Sequence, residues 1–180
     1  MKPLDWLRRW FRRAPVARTD SPHPKVLITS ECVEALIRAL RPSFERRHEG
    51  VAYLLGRTDG IVTLCITAFV PVARTTSGSF HVDARAMAAW MQTAGMYELQ
   101  IVAQVHTHPG QAWHTDGDVE GARIRYPGFA SIVIPDYGAR LPMLDGAAVY
   151  LWSVAEGWRT LDLSDLIIIP GAGSWTKQNG

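Results

Sequence analysis

His106 and His108 stand one residue apart at the end of an apolar run that begins Ile101-Val102-Ala103, and Pro109 follows directly. Read as a strand, that run sends alternate side chains to one face, so both imidazoles can reach a single ion. Thr115-Asp116-Gly117-Asp118 comes shortly after and offers a carboxylate as a third, harder ligand. Two neutral imidazoles and a carboxylate leave a fourth position open to water, the donor set of a catalytic rather than a structural zinc site. The chemistry this spacing points to is metal-assisted hydrolysis.

Ligands of this kind need a frame. Val26-Leu27-Ile28 reads as a short strand, and Ser30 as the cap of a helix with Glu31 and Glu34 early and Val33, Leu36, Ile37 and Leu40 inside. Pro42 is expected to end or kink it. Val51 to Leu55 and Ile61 to Val70 read as strands joined through Thr58-Asp59-Gly60. Asp83 is the expected cap of a second helix that sets Met87, Trp90, Met91 and Ala94 into a core. Strands at Ile101 to Val105, Ser131 to Ile134 and Ala147 to Val154 follow, then an apolar run through Leu161 to Ile169. The pattern predicts a single α/β domain over residues 25–170, a mixed β-sheet flanked by helices.

With 180 residues and 47% hydrophobic content the chain is long enough to bury one real core. Cys32 and Cys65 form no C-x-x-C pair, so neither a disulfide scaffold nor an activated thiolate is indicated, and Cys65 is expected to be buried in its strand. No signal-peptide pattern and no bilayer-length apolar run are visible, so a cytoplasmic protein is expected. The net charge of +2 hides an asymmetry. Residues 1–20 carry Lys2, Arg8, Arg9, Arg12, Arg13 and Arg18 against Asp5 and Asp20, a net +4, which leaves −2 for the remainder. The body is therefore no basic platform for nucleic acid, and the Cys/His quartet of a zinc-bearing DNA-binding module is missing.

The basic end has its own pattern. Trp6, Leu7, Trp10 and Phe11 recur at helical spacing opposite the arginines, and Pro15 and Ser21-Pro22-His23-Pro24 separate them from the domain. Residues 1–24 thus read as a basic amphipathic arm that docks on a partner or folds back on its own domain, a membrane surface being the weaker expectation. Residues 171–180 read as a mobile tail.

The context around the histidines narrows the class. A metallo-β-lactamase-like site continues H-x-H-x-D-H, whereas Gly110-Gln111 occupy those places here. A barrel of the amidohydrolase type takes about 250 residues. The run His106 to Asp118 (HTHPGQAWHTDGD) instead resembles the JAMM (MPN+) metallopeptidase motif, H-x-H-P, a short loop, then S-x-x-D. That family also has a glutamate seven residues before the glycine of a Leu-Leu-Gly strand, and Glu49 stands so before Leu54-Leu55-Gly56. The resemblance covers roughly residues 26–160. Two departures accompany it: five residues rather than six separate Pro109 from Thr115, and the serine position is Thr115. Either Thr115 and Asp118 take the two roles on a tighter loop or Asp116 is the ligand. In T-x-x-D the threonine can cap a helix and set Asp118 on its first turn.

The resemblance implies one zinc per chain held by His106, His108 and Asp118, Glu49 as general base and Thr115 as an oxyanion donor. It implies a JAMM/MPN fold and hydrolysis after the C-terminal glycine of a ubiquitin-like protein, from a precursor or conjugate, with that protein or its conjugates as partner and conjugation enzymes reached through the arm. The alternatives are the same chemistry on a sulfur-carrier-protein adduct or small peptide, and an inactive MPN scaffold for protein contacts. His114 reads as a polar loop residue, with an accessory ligand or a substrate contact as alternatives, His48 and His81 as structural, and Thr107 as a spacer.

Overall fold

The computed structural model describes residues 23–171. The arm expected over 1–24 and the tail over 171–180 thus lie, apart from His23, Pro24 and Gly171, outside the described residues. No helix among the described residues is long and apolar enough to cross a membrane.

The central strands are apolar on both faces, as strands covered on both sides must be. Strands β1 (Lys25–Thr29), β2 (Val51–Thr58), β3 (Val62–Phe69), β6 (Gln100–Thr107), β7 (Ala130–Ile134), β8 (Ala148–Ser153), β9 (Gly157–Leu161) and β10 (Leu166–Ile169) form one eight-stranded sheet in the order β10-β1-β3-β2-β6-β7-β8-β9. The sheet is mixed: β1 runs parallel to β10 and β3, β6 runs parallel to β7, and the remaining pairs are antiparallel. A separate hairpin, β4 (Ala73–Thr76) with β5 (Ser79–Val82), stands off the main sheet. The mixed sheet flanked by helices is the α/β architecture expected.

Alternation along β2 divides the core in two. Ala52 and Leu54 face helix α1 (Ser30–Arg46), which supplies Cys32, Val33, Leu36 and Leu40 to the larger cluster. Val51, Tyr53 and Leu55 face the other way, onto helix α2 (Ala84–Met96) and the hairpin, where Phe69, Val82, Met87, Ala94 and Ile101 complete the second cluster. Phe69 stacks between Tyr53 and Trp90 at centroid distances of 5.7 and 4.1 Å. Cys65 is fully buried in β3, as expected of it.

Several expectations shift in detail. The cap of α1 is Thr29, one residue before Ser30: its hydroxyl accepts from Cys32 N–H at 3.1 Å and donates to the Ile66 carbonyl at 3.1 Å. Pro42 does not end that helix, which runs on to Arg46. The bond that proline forfeits belongs to the carbonyl of Arg38, and both residues face solvent, where water can take it. Asp83 caps α2 as predicted, accepting from the Arg85 and Ala86 amides, but Met91 is exposed rather than core. The run to Ile169 is broken into β9, a 3-10 turn at Leu163–Asp165 and β10. The β4–β5 hairpin was not anticipated as strands, since Ala73 to Val82 alternates weakly and is mostly polar.

Gly56 has a steric reason to be glycine. The register with β3 shifts between Leu55 and Gly56 and that with β6 one residue earlier, and a Cβ at Gly56 would lie 1.7 Å from the Leu64 carbonyl oxygen. Gly56→Ala is expected to lower unfolding stability by about 3 kcal/mol in urea denaturation. Gly95→Ala, in the last turn of α2 with open space around it, should raise it by about 0.5–1 kcal/mol.

Candidate metal centre

Each member of the site is placed by backbone bonds at the same end of the β2–β6 pair. Val51 lies opposite His106 in the antiparallel register, so the residue just before β2 comes to the histidine end of β6. The Thr107 N–H donates to the Gly50 carbonyl at 3.0 Å, and the Gly50 N–H donates to the Thr107 hydroxyl at 2.8 Å. Thr107 is therefore more than a spacer: it clamps the segment that carries Glu49. On its other side the Glu49 N–H donates to the Thr76 carbonyl of β4 at 2.7 Å. His108 is held by its N–H to the Ile134 carbonyl at 2.9 Å and by its carbonyl, which accepts from Tyr137 N–H at 2.8 Å.

The loop after Pro109 returns a carboxylate. Helix α3 (Asp116–Gly121) opens on a capping box: Asp118 N–H donates to the Thr115 hydroxyl at 3.2 Å, and Thr115 N–H donates to Asp118 Oδ2 at 2.8 Å. The Thr115 hydroxyl also donates to Asp118 Oδ2, at 2.7 Å. This is the capping arrangement that T-x-x-D predicts. Asp118 Oδ1 then lies 3.2 Å from His106 Nε2, and Oδ2 lies 3.5 Å from His108 Nε2. Asp116, the alternative, is exposed on the first turn of α3.

His106, His108 and Asp118 present ligand atoms that all fall within 4.8 Å of one another. A tetrahedral ion with bonds of about 2.1 Å has ligand–ligand edges of about 3.4 Å, close to the two carboxylate–imidazole distances. His106 is fully buried, yet among the described residues neither of its ring nitrogens has a hydrogen-bond partner. An unpaired buried nitrogen costs about 1–3 kcal/mol. For Nε2, whose contact with Asp118 lacks hydrogen-bond alignment, a metal ion is a partner that removes this cost. The donor set and the orphaned nitrogen therefore fit a metal ion.

Charge is arranged around this point. Burial alone pushes the Asp118 carboxyl up, but the His106 and His108 rings and the Thr115 backbone outweigh it and hold the carboxyl well below the ordinary range. The Asp118 hydrogen bond raises His108 against burial, aided by the charges of Asp118 and Glu49. Glu49 is 6% exposed and is pushed upward by burial, with His108 opposing and Asp118 adding to the rise. Glu49, His108, Thr115 and Asp118 line one cleft of about 270 Å³, whose far wall is β5.

Sequence reasoning missed several neighbours. His114 is no free loop residue: its ring stacks on Tyr150 at 3.7 Å, shares a 2.8 Å hydrogen bond with Ser131 Oγ, and receives the edge of Trp158. Its N–H donates to the Tyr150 hydroxyl at 3.0 Å, so the ring anchors the loop directly before Thr115. His48 is structural as expected, bonded through Nδ1 to Thr75 Oγ1 at 3.3 Å, but His81 lines the cleft. Phe80 of β5 tilts against His106 at 5.2 Å.

No family model matches the chain. A protein of Sinorhizobium fredii named probable metalloprotease y4jG is 27% identical over 141 residues, covering 74% of this chain and 85% of its own. Two solution structures share the fold. A protein from Desulfitobacterium hafniense superposes with a TM-score of 0.60 at 15% identity, over 81% of this chain and 92% of its own. One from Salinibacter ruber gives 0.50 at 16%, over 78% and 90%.

The His114 ring has a consequence for stability. Burial, then the His106 charge, lowers its pKa from 6.5 to about 4. Below pH 6.5 the unfolded chain binds a proton that the folded ring refuses, so stability falls as pH drops from 6.5 towards 4. Calorimetric melts of metal-free protein should show a shallower loss across that window in His114→Phe, which keeps an aromatic ring to stack on Tyr150. Equal slopes would assign the acid sensitivity elsewhere.

Proposed function

We propose that the chain is a zinc metallopeptidase of the JAMM/MPN type, an isopeptidase or peptidase that cleaves after the C-terminal glycine of a ubiquitin-like protein. The observation that carries this reading is that Glu49, His108 and Asp118 line one cleft, and that His108 and Asp118 also converge with the buried His106, whose Nε2 has no aligned hydrogen-bond partner among the described residues. The name of the Sinorhizobium fredii relative supports the peptidase class, and the JAMM-like motif supports the finer assignment.

His106, His108 and Asp118 would hold the ion. Bound zinc supplies a Lewis acid and brings the pKa of a water towards neutrality. The work of the chain is then proton transfer and orientation. The Glu49 carboxylate removes a proton from the attacking water and returns it to the leaving amine. Its partly desolvated position lifts its pKa above the ordinary carboxylate value, which favours its taking up the proton it must pass on. Asp118 is oriented by Thr115, whose hydroxyl and N–H both reach Oδ2. An oxyanion role for Thr115 requires its hydroxyl to exchange that bond for a substrate oxygen. β5 pairs with β4 on one side only and lines the cleft, so an extended chain laid there finds backbone donors and acceptors. That geometry suits a flexible terminal tail better than a folded surface. The basic arm suits contact with a ubiquitin-like protein or its conjugation enzymes.

Elemental analysis after zinc reconstitution should give about one zinc per chain, falling to under about a tenth in Asp118→Ala. Fusions that place a ubiquitin-like protein, a sulfur-carrier protein or a short peptide before a Gly–X bond should then be cleaved at the glycine. Glu49→Gln should keep its zinc and lose at least about 100-fold in rate. A stoichiometric zinc site that cleaves none of the three would turn the assignment to the inactive scaffold.

A further inference from the structure

The cleft continues past the metal centre along the same face of the sheet. Gln104 stands two residues before His106 on β6, and Tyr53 lies directly opposite Gln104 on β2. Both line the cleft, with Arg123 just beyond the end of α3. The Tyr53 hydroxyl donates to Gln104 Oε1 at 3.2 Å, which uses the amide oxygen and leaves the Gln104 NH2 as a donor. Burial pushes the Tyr53 pKa up to about 12, so the phenol keeps its proton, and the Arg123 charge opposes that rise.

Arg123 is unusual for what it does not do. Arg125, two residues on, is engaged: its guanidinium donates to the carbonyls of Val119 and Glu120 and covers the Trp152 ring at 5.4 Å. Arg123 makes no hydrogen bond or ion pair among the described residues, although it lines a cleft that also contains Glu49 and Asp118. Besides its carboxylates and imidazoles the cleft thus holds a cation with no anion paired to it among the described residues, and an amide donor held by Tyr53. A planar guanidinium and an NH2 group lining one cleft, both beside Tyr53, together make a receptor for a carboxylate.

We infer that Gln104 and Arg123 form a subsite of the cleft for a carboxylate of the substrate, supplied by an acidic side chain near the scissile bond or by a free C-terminus. This rests on the peptidase reading and adds to it a preference for acidic substrates over neutral or basic ones. Lysine or arginine at the same substrate position meets Arg123 as a like charge and is disfavoured.

The test uses the zinc-loaded Glu49→Gln chain, labelled with 15N, so that peptides bind without being consumed. Capped glycine-centred hexapeptides carrying Asp, Asn or Lys at the flanking positions, and the Asn peptides with a free C-terminus, are titrated against it. Asp peptides are expected to bind about fivefold tighter than their Asn counterparts, the size of a partly exposed charge-assisted contact. They should shift the Gln104 side-chain amide resonances, and Lys peptides should bind more weakly than Asn. Adding Arg123→Gln should bring the Asp-to-Asn ratio to about one, and Arg123→Lys should restore part of it. If the uncapped Asn peptides carry the preference instead, the carboxylate is the terminal one. Equal binding of all the peptides, or a preference unchanged in Arg123→Gln, overturns the subsite. Hydrolysis of the same peptides by the wild-type zinc protein separates the two claims. Cleavage without acid preference removes the subsite and leaves the peptidase; acid-selective binding without cleavage does the reverse.

Discussion

The reciprocal pair of hydrogen bonds between Gly50 and Thr107 is the constraint on which the site depends. It extends the β2–β6 ladder one step past Val51 and His106, and brings the residue before β2 beside the last residues of β6. Glu49 and the two histidines are 57 or more positions apart in the chain, yet this single register makes them neighbours. A slip of one residue would send His106 and Gln104 to the face covered by α1 and leave Glu49 without its place. The burial of β2 on both faces is what forbids that slip. Ala52 and Leu54 belong to one core, Val51, Tyr53 and Leu55 to the other, and exchanging them exposes neither set to a matching surface.

Around that register the fold spends stability on a polar centre. Among the described residues neither nitrogen of a fully buried imidazole has a hydrogen-bond partner, and Glu49 is raised by desolvation. The partial return comes from Asp118, whose carboxylate answers two rings and the Thr115 backbone at once. Such a cluster is poorly satisfied by protein groups alone, because His106 Nε2 has no aligned hydrogen-bond partner among the described residues. A metal ion supplies that partner, and whatever it gains by binding is gained by the folded state, since the unfolded chain has no such convergence. Metal binding and folding are therefore linked most tightly through the loop that returns Asp118, which the His114–Tyr150 stack and the Ser131 bond hold down.

The parts of this arrangement that were legible in the sequence are those encoded within one element. The strand carrying His106 and His108, the T-x-x-D capping pair, and the Asp83 cap of α2 each depend on residues a few positions apart. Glu49 became a candidate only through its distance from Leu54-Leu55-Gly56 as the JAMM-like pattern has it, since an isolated glutamate before a strand carries no local signal. What was not legible is non-local. Thr107 looks like filler until Gly50 is seen beside it. Met91 shares a helical stripe with Met87 yet faces solvent, because the hairpin and sheet cover less of α2 than the stripe's width suggests. The β4–β5 hairpin has only weak apolar alternation to announce it, for it is a two-stranded ribbon that gives the second core little beyond Ala73, Phe80 and Val82.

The same distinction explains why the rest of the cleft escaped notice. Nothing in the local sequence around Tyr53, Gln104 or Arg123 marks them as members of one site. Their meeting depends on the β2–β6 register and on the short helix that turns the chain back after Asp118. That helix does two things at once. Its first turn delivers the carboxylate to the histidines, and the chain leaving it brings Arg123 to the same cleft. One six-residue element therefore governs both the third ligand's placement and that of a cation of the cleft, so a change of loop length before Thr115 moves the two together. The five-residue spacing between Pro109 and Thr115 is then a determinant of cleft electrostatics as much as of metal geometry.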